Sequence, residues 1–91
     1  MQDAERLARI FKALSVDNRI KIVQLLKERS LCVNALAGRL KITSAAVGQH
    51  LRILRDADLL IAEKRGNFVH YEVNIDKLEE WQRQVNTLLM P

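Results

Sequence analysis

The chain is poor in the residues that punctuate or staple a fold. One proline and three glycines in 91 residues are too few for the many tight turns of an all-β protein. A single cysteine, Cys32, excludes an intramolecular disulfide framework and fits a reducing cytoplasm. Aromatic residues make up only 4%, so an interior must be aliphatic. No run approaches the roughly eighteen apolar residues of a membrane span, and the basic-then-apolar start of a signal peptide is missing. There is no Gly-rich phosphate loop, no paired carboxylates in a plausible cleft and no nucleophile–base pair, which argues against an enzyme. Internal repeats and linkers are also absent, so residues 1–91 read as one domain.

What is present is a mildly basic, half-apolar sequence, with net charge +4 and 48% hydrophobic residues. The charge is uneven. Residues 39–70 hold six cations against three carboxylates, and residues 71–91 hold two against four. The middle of the chain suits phosphates and the tail does not.

Periodicity predicts about five helices and two antiparallel strands. Residues 3–14 place Ala4, Leu7, Ala8, Phe11 and Leu14 on one face of a first helix. Asp17 is placed to cap a second, running to about Arg29, with a wide apolar face at Ile20, Ile22, Val23, Leu25 and Leu26. A short third helix spans about Val33 to Leu40, with Gly38 costing it about 1 kcal/mol relative to Ala. Lys41 and Ile42 lead tightly into a fourth helix over residues 43–60, with Thr43 or Ser44 as its N-cap. Short helix, turn and amphipathic helix make a helix-turn-helix.

The fourth helix has two unlike faces. Val47, Leu51 and Leu54, widened by Ala46 and Ile53, form the core stripe. Ala45, Gly48, Gln49, Arg52 and Arg55 lie opposite. Small side chains permit close approach to a DNA major groove, glutamine can pair bidentately with adenine, and arginine can reach guanine or phosphate. LLIAEK (59–64) and FVHYEV (68–73) then read as strands joined by Arg65-Gly66-Asn67, with Val69, Tyr71 and Val73 facing the core. Lys64, Arg65 and Asn67 cluster at the tip, where each can bond phosphate or a minor-groove edge. A basic hairpin after a helix-turn-helix is the winged-helix arrangement.

The last helix is expected to begin near Asp76, with Glu79 at capping-box spacing. Leu78, Trp81, Val85 and Leu88 step by 3, 4 and 3, the rhythm of a two-helix seam. With Leu7 and Phe11 of the first helix, they are the candidate homodimer interface, because Trp81 otherwise lacks a large apolar partner. A small domain buries a low fraction of its surface and gains from a shared core.

These residues resemble the ArsR/SmtB family of winged-helix repressors, over nearly the whole chain. The marks are ALSVDNRIKIVQLL (13–26), SLCVNALAGRL (30–40), ITSAAVGQHLRILRDADLL (42–60) with His50-Leu51-x-x-Leu54, and GNFVHYEV (66–73). The resemblance implies a homodimer that leaves operator DNA on a signal. It places Thr43, Ser44, Gln49 and Arg52 near bases or phosphates, and Lys64, Arg65 and Asn67 on the wing. Gly48 stands where the family often has serine, and Asp58 where it usually has glycine.

The family's sensor sites are incomplete here. SLCVN resembles the ELCVC metal box, but Asn34 occupies the second cysteine position. A soft thiolate site needs two or three cysteines. The alternative family site on the last helix would have Asp76, Glu79 and Glu80 but no histidine, a poor set for zinc or nickel. The expectation is no metal at the usual places and no cofactor. Cys32 reads first as a small apolar residue and second as a redox-responsive thiol. The expected function is a cytoplasmic, sequence-specific repressor whose partners are double-stranded operator DNA and itself, with no membrane. The alternatives are a Cys32-based redox repressor or a winged-helix protein–protein module.

Overall fold

A computed structural model describes residues 3–91 as α1 (Ala4–Ala13), α2 (Asp17–Glu28), β1 (Leu31–Cys32), α3 (Val33–Leu40), α4 (Ser44–Asp56), β2 (Leu60–Arg65), β3 (Phe68–Val73) and α5 (Ile75–Leu89). Asp3 starts α1 by accepting from the Glu5 and Arg6 N–H groups. The apolar stripe of α1 is turned by about one residue from the sequence expectation. Leu7, Ile10 and Ala13 are buried, whereas Ala4, Ala8 and Phe11 are exposed. Helix α2 is capped at Val16, with no side-chain bond, and Asp17 is already inside its first turn. There its carboxylate accepts from the Asn18 N–H at 2.8 Å and pairs with Lys21 at 3.7 Å. Ile22, Val23 and Leu26 are buried and Ile20 is exposed. Arg19, which the apolar pattern omits, is only 8% exposed.

The core sits where α2, α3, α4 and the sheet meet. Ile22, Leu36, Val47, Leu51, Leu54 and Leu59 are fully buried there, and each contributes roughly 1.5–3 kcal/mol by leaving water. Ile53 lies outside it, exposed on α4. Helix α3 closes on Lys41, whose left-handed backbone (φ 57°) turns the next N–H, that of Ile42, back to the Ala37 carbonyl at 3.3 Å. This reversal brings the start of α4 beside the start of α3.

The sheet has three strands in the order β1-β3-β2, all antiparallel. Strand β1 is an addition to the two strands expected. Its pairing Leu31↔Tyr71 and Cys32↔His70 ties the entry of α3 to the wing. The β2–β3 turn has two residues rather than three, since Arg65 already pairs with Phe68. Gly66 (φ 62°) takes its first central position, where a II′ turn requires positive φ. Leu60 and Val73 are buried, but Val69 is exposed because it lies beyond the core towards the tip.

Two helix ends differ from expectation. Asn74, not Asp76, caps α5 by accepting from the Lys77 N–H at 3.3 Å. Helix α4 ends in a Schellman closure, with Asp58 N–H to Arg55 O at 2.8 Å and Leu59 N–H to Leu54 O at 3.0 Å. Asp58 there adopts φ 61°, a left-handed conformation that glycine takes without strain.

Trp81 and Leu7 of the expected seam are already buried within their own chain. Trp81 is 8% exposed within the single chain and belongs to the same buried cluster as Ile10 and Leu26. Leu7 is likewise buried. Leu78 and Val85 are half-buried against that cluster. Phe11 and Leu88 remain exposed, together with Leu89 and Met90. The radius of gyration, 13.9 Å, exceeds the about 12 Å of a compact chain this long, so elements project from the core.

Candidate nucleic-acid interface

Helix α4 begins at Thr43, whose side-chain oxygen accepts from the Ala46 N–H at 3.1 Å. That bond resolves the cap and leaves the Thr43 proton free to donate outward. Ser44, the first helical residue, instead donates its hydroxyl proton to Asn34 Oδ1 on α3 at 3.1 Å. With Val47, Leu51 and Leu54 locked in the core, Ala45, Gly48, Gln49, Arg52 and Arg55 are all exposed. A Cβ built on Gly48 would meet nothing within 4 Å, so this face is open. Gln49, Arg52 and Arg55 have no protein partner among the described residues, so their donors are available to a ligand.

Between α4 and the sheet runs a groove of about 370 Å³ lined by Gly48, Leu51, Arg52, Arg55, Asp56 and Tyr71. Tyr71 packs against the core, as its alternation predicts, and being half-buried it also lines this groove. Two guanidinium groups and a phenol around a concave strip can hold a polyanion.

On the wing, Lys64, Arg65 and Asn67 are exposed, but they are not equivalent. The β-register puts Arg65, Glu63, His70 and Cys32 on one face of the sheet. Arg65 crosses that face to donate to Ser30 Oγ at 3.0 Å and to pair with Glu63 at 3.4 Å. Lys64 points to the other face and has no partner among the described residues. Of the two wing cations, Lys64 is the free one.

Behind the recognition face, His50 is half-buried, and its Nδ1 lacks a partner among the described residues, as does Arg19 Nε. Burial, then the Arg19 charge, push the His50 imidazole below its ordinary value, against a weaker opposite pull from Asp17. Cys32 is half-buried at the N-cap position of α3, with no side-chain cap bond. Among the described residues, no three of His, Cys, Asp and Glu come together as a metal-holding group. Glu80 is held by Lys77 at 3.1 Å, and that hydrogen bond and charge lower its pKa.

The helix pair, the open face of α4 and the wing are those of a winged helix-turn-helix. The sequence profile of bacterial regulatory proteins of the arsR family matches residues 17–62, from the start of α2 into β2. The chain belongs to the arsR family. Over 71 residues it is 31% identical to the transcriptional repressor SdpR of Bacillus subtilis, covering 78% of this chain and 79% of that protein. Over 89 residues it is 34% identical to the HTH-type transcriptional regulator MJ1325 of Methanocaldococcus jannaschii, covering 97% and 100%. The solved ArsR-like transcriptional regulator from Rhodococcus sp. RHA1 superposes with a TM-score of 0.81 at 27% identity, covering 92% of this chain and 79% of that one. Membership makes this arsR-family chain a DNA-binding transcriptional regulator rather than an enzyme. No described helix is long and apolar enough to cross a membrane.

Sequence reasoning missed two residues of this surface. Tyr71 follows the core alternation and gives no signal of its own. Asn34 stood out only as a lost metal ligand, and its bond to Ser44 depends on the α3–α4 reversal.

Proposed function

We propose that this chain is a sequence-specific repressor that binds an inverted-repeat operator as a homodimer, with no metal at its family's usual positions. The observation that carries the reading is the unpartnered face of α4, where Gln49 and Arg52 stand between small neighbours. Gln49 reads a base edge, Arg52 reaches a base or an adjacent phosphate, Thr43 donates to phosphate, and Ser44 faces the bases. Lys64 and Asn67 meet the backbone or minor groove beside them. Arg65 joins them only by releasing Ser30 and Glu63. A regulator of this kind works where the operator DNA is, in the cytoplasm.

The dimer seam of this reading is narrower than the helical rhythm suggested. Phe11 on α1 and Leu88, Leu89 and Met90 at the end of α5 are exposed apolar groups, 44%, 47%, 72% and 70% accessible. Leu78 and Val85 flank them on an apolar groove of about 370 Å³ lined also by Ile10, Leu14 and Trp81. Leu7 and Trp81 support that surface from beneath. Operator half-sites would lie about one helical turn apart on one face of the duplex.

The test is selection of bound duplexes from a random pool, with parent and Gln49→Ala proteins. The parent should enrich an inverted repeat. Gln49→Ala should lose preference at one symmetric pair of positions, each bidentate contact being worth about 1–3 kcal/mol. Identical enrichment by both proteins would remove Gln49 from the readout.

A further inference from the structure

Asn34 occupies the first turn of α3 and Ser44 the first turn of α4, ten residues apart. Both side chains are exposed, so their bond lies at the surface that the DNA reading assigns to the operator. A serine hydroxyl has one proton and two acceptor lone pairs. In this structure that proton is donated to Asn34 Oδ1 at 3.1 Å. What Ser44 has left to offer a ligand is acceptor capacity alone. Its neighbour Thr43 differs, since one of its lone pairs accepts from the Ala46 N–H at 3.1 Å while its proton is not engaged. Of two adjacent hydroxyls at the start of one helix, Thr43 thereby keeps a proton to donate and Ser44 does not.

We propose that Asn34 is a specificity-determining positioning residue, which fixes Ser44 as a hydrogen-bond acceptor towards the operator bases. The inference rests on the DNA reading above and refines it. In the major groove, adenine N6 and cytosine N4 carry donor hydrogens, whereas guanine O6 and N7 and thymine O4 only accept. A serine that can only accept selects the first pair. It is also a poor phosphate ligand, because phosphate oxygens have no proton to give. Thr43 is the hydroxyl suited to phosphate. Asn34 retains its own amide N–H donors, which lie on the same surface.

The position at issue is defined by experiment as the operator base pair whose preference disappears in Ser44→Ala. There the parent should favour adenine or cytosine on the contacted strand by about fivefold, the worth of one net hydrogen bond. Asn34→Asp retains an acceptor and no donor, so Ser44 must still donate to it. This variant should bind every duplex more weakly, through its added negative charge, yet keep the adenine/cytosine preference. Asn34→Ala frees the Ser44 proton, and the preference should fall towards parity with guanine and thymine. A role confined to holding the two helices together would change affinity in Asn34→Ala but leave the base preference in place. Thermal unfolding followed by circular dichroism checks that each variant is folded.

The inference is overturned by a guanine or thymine preference in the parent at that position. It is overturned equally by a preference that survives in Asn34→Ala, by its loss in Asn34→Asp, or by a Ser44→Ala selection identical to the parent's. Those results leave the DNA reading intact. A parent that binds all duplexes alike overturns the DNA reading, and the inference with it.

Discussion

Replacing Asp58 by glycine should stabilise the protein. Asp58 sits one residue beyond the C-cap of α4 with φ 61°, held by its N–H to Arg55 O at 2.8 Å and by Leu59 N–H to Leu54 O at 3.0 Å. Its carbonyl accepts from Asn74 Nδ2 at 3.1 Å, so the backbone is fixed at both ends of the turn. The carboxylate is exposed and bonds nothing among the described residues. An L-residue in this left-handed conformation loses roughly 1–2 kcal/mol, less for aspartate than for most. Glycine removes that strain but gains freedom in the unfolded chain, which returns about 0.4–1 kcal/mol. The net expectation is a gain of up to about 1 kcal/mol for Asp58→Gly. Asp58→Ala should lose stability, because alanine keeps the Cβ clash without aspartate's tolerance of the left-handed region. Urea unfolding of the three proteins at one protein concentration gives the order directly. A midpoint order other than glycine above aspartate above alanine would refute the left-handed assignment at residue 58.

Trp81→Ala should destabilise the fold by about 3–5 kcal/mol, because the ring is buried in its own chain; an unfolding midpoint within 0.5 M urea of the parent would contradict that. Phe11→Asp with Leu88→Asp should instead give folded monomers by sedimentation, with weakened operator binding, and a tight dimer would move the seam elsewhere. The depressed His50 pKa makes the unfolded chain bind a proton first, near its ordinary 6.5. Stability should therefore fall as pH drops below that value, until the folded state's own lower pKa is passed. His50→Gln should flatten that part of a stability–pH curve, and an unchanged slope would clear His50 of the effect. Micromolar arsenite or cadmium should leave the operator complex intact in fluorescence anisotropy, since Cys32 is the single thiol in the sequence; release at one equivalent per subunit would require ligands outside this account.

The elements with one strong apolar stripe were legible from the sequence. Helix α3 runs over the expected Val33–Leu40, and Val47, Leu51 and Leu54 bury the expected side of α4. Helix α1 was harder, because Ala4-Ala8-Phe11 and Leu7-Ile10-Leu14 are both apolar stripes, and spacing alone does not say which one faces the chain's own core. For the same reason the stripe did not reveal that Trp81 packs in its own chain's cluster, a stripe being silent about whose core it meets. Strand β1 is two residues long and exists only by pairing with β3 across the fold, so no local period reveals it. The polar pairs at the site are equally non-local. Arg65 reaches back 35 residues to Ser30, and Ser44 bonds Asn34 across the helix-turn-helix reversal. What side chains a residue can offer to DNA was readable; which of its donors are already spent was not.

The central claim is that the face built by α4 and the wing binds duplex DNA through phosphates and bases together. Its most direct test is the salt dependence of binding to the selected operator. Arg52, Arg55 and Lys64 are the exposed, unpartnered cations on that face in each chain. If a dimer neutralises one phosphate with each, log K should fall linearly with log salt with a slope of about −5. Arg52→Ala should reduce the slope by about two per dimer. A binding constant that barely responds to salt, or a slope unchanged by Arg52→Ala, would contradict the account and point to a protein partner for this face.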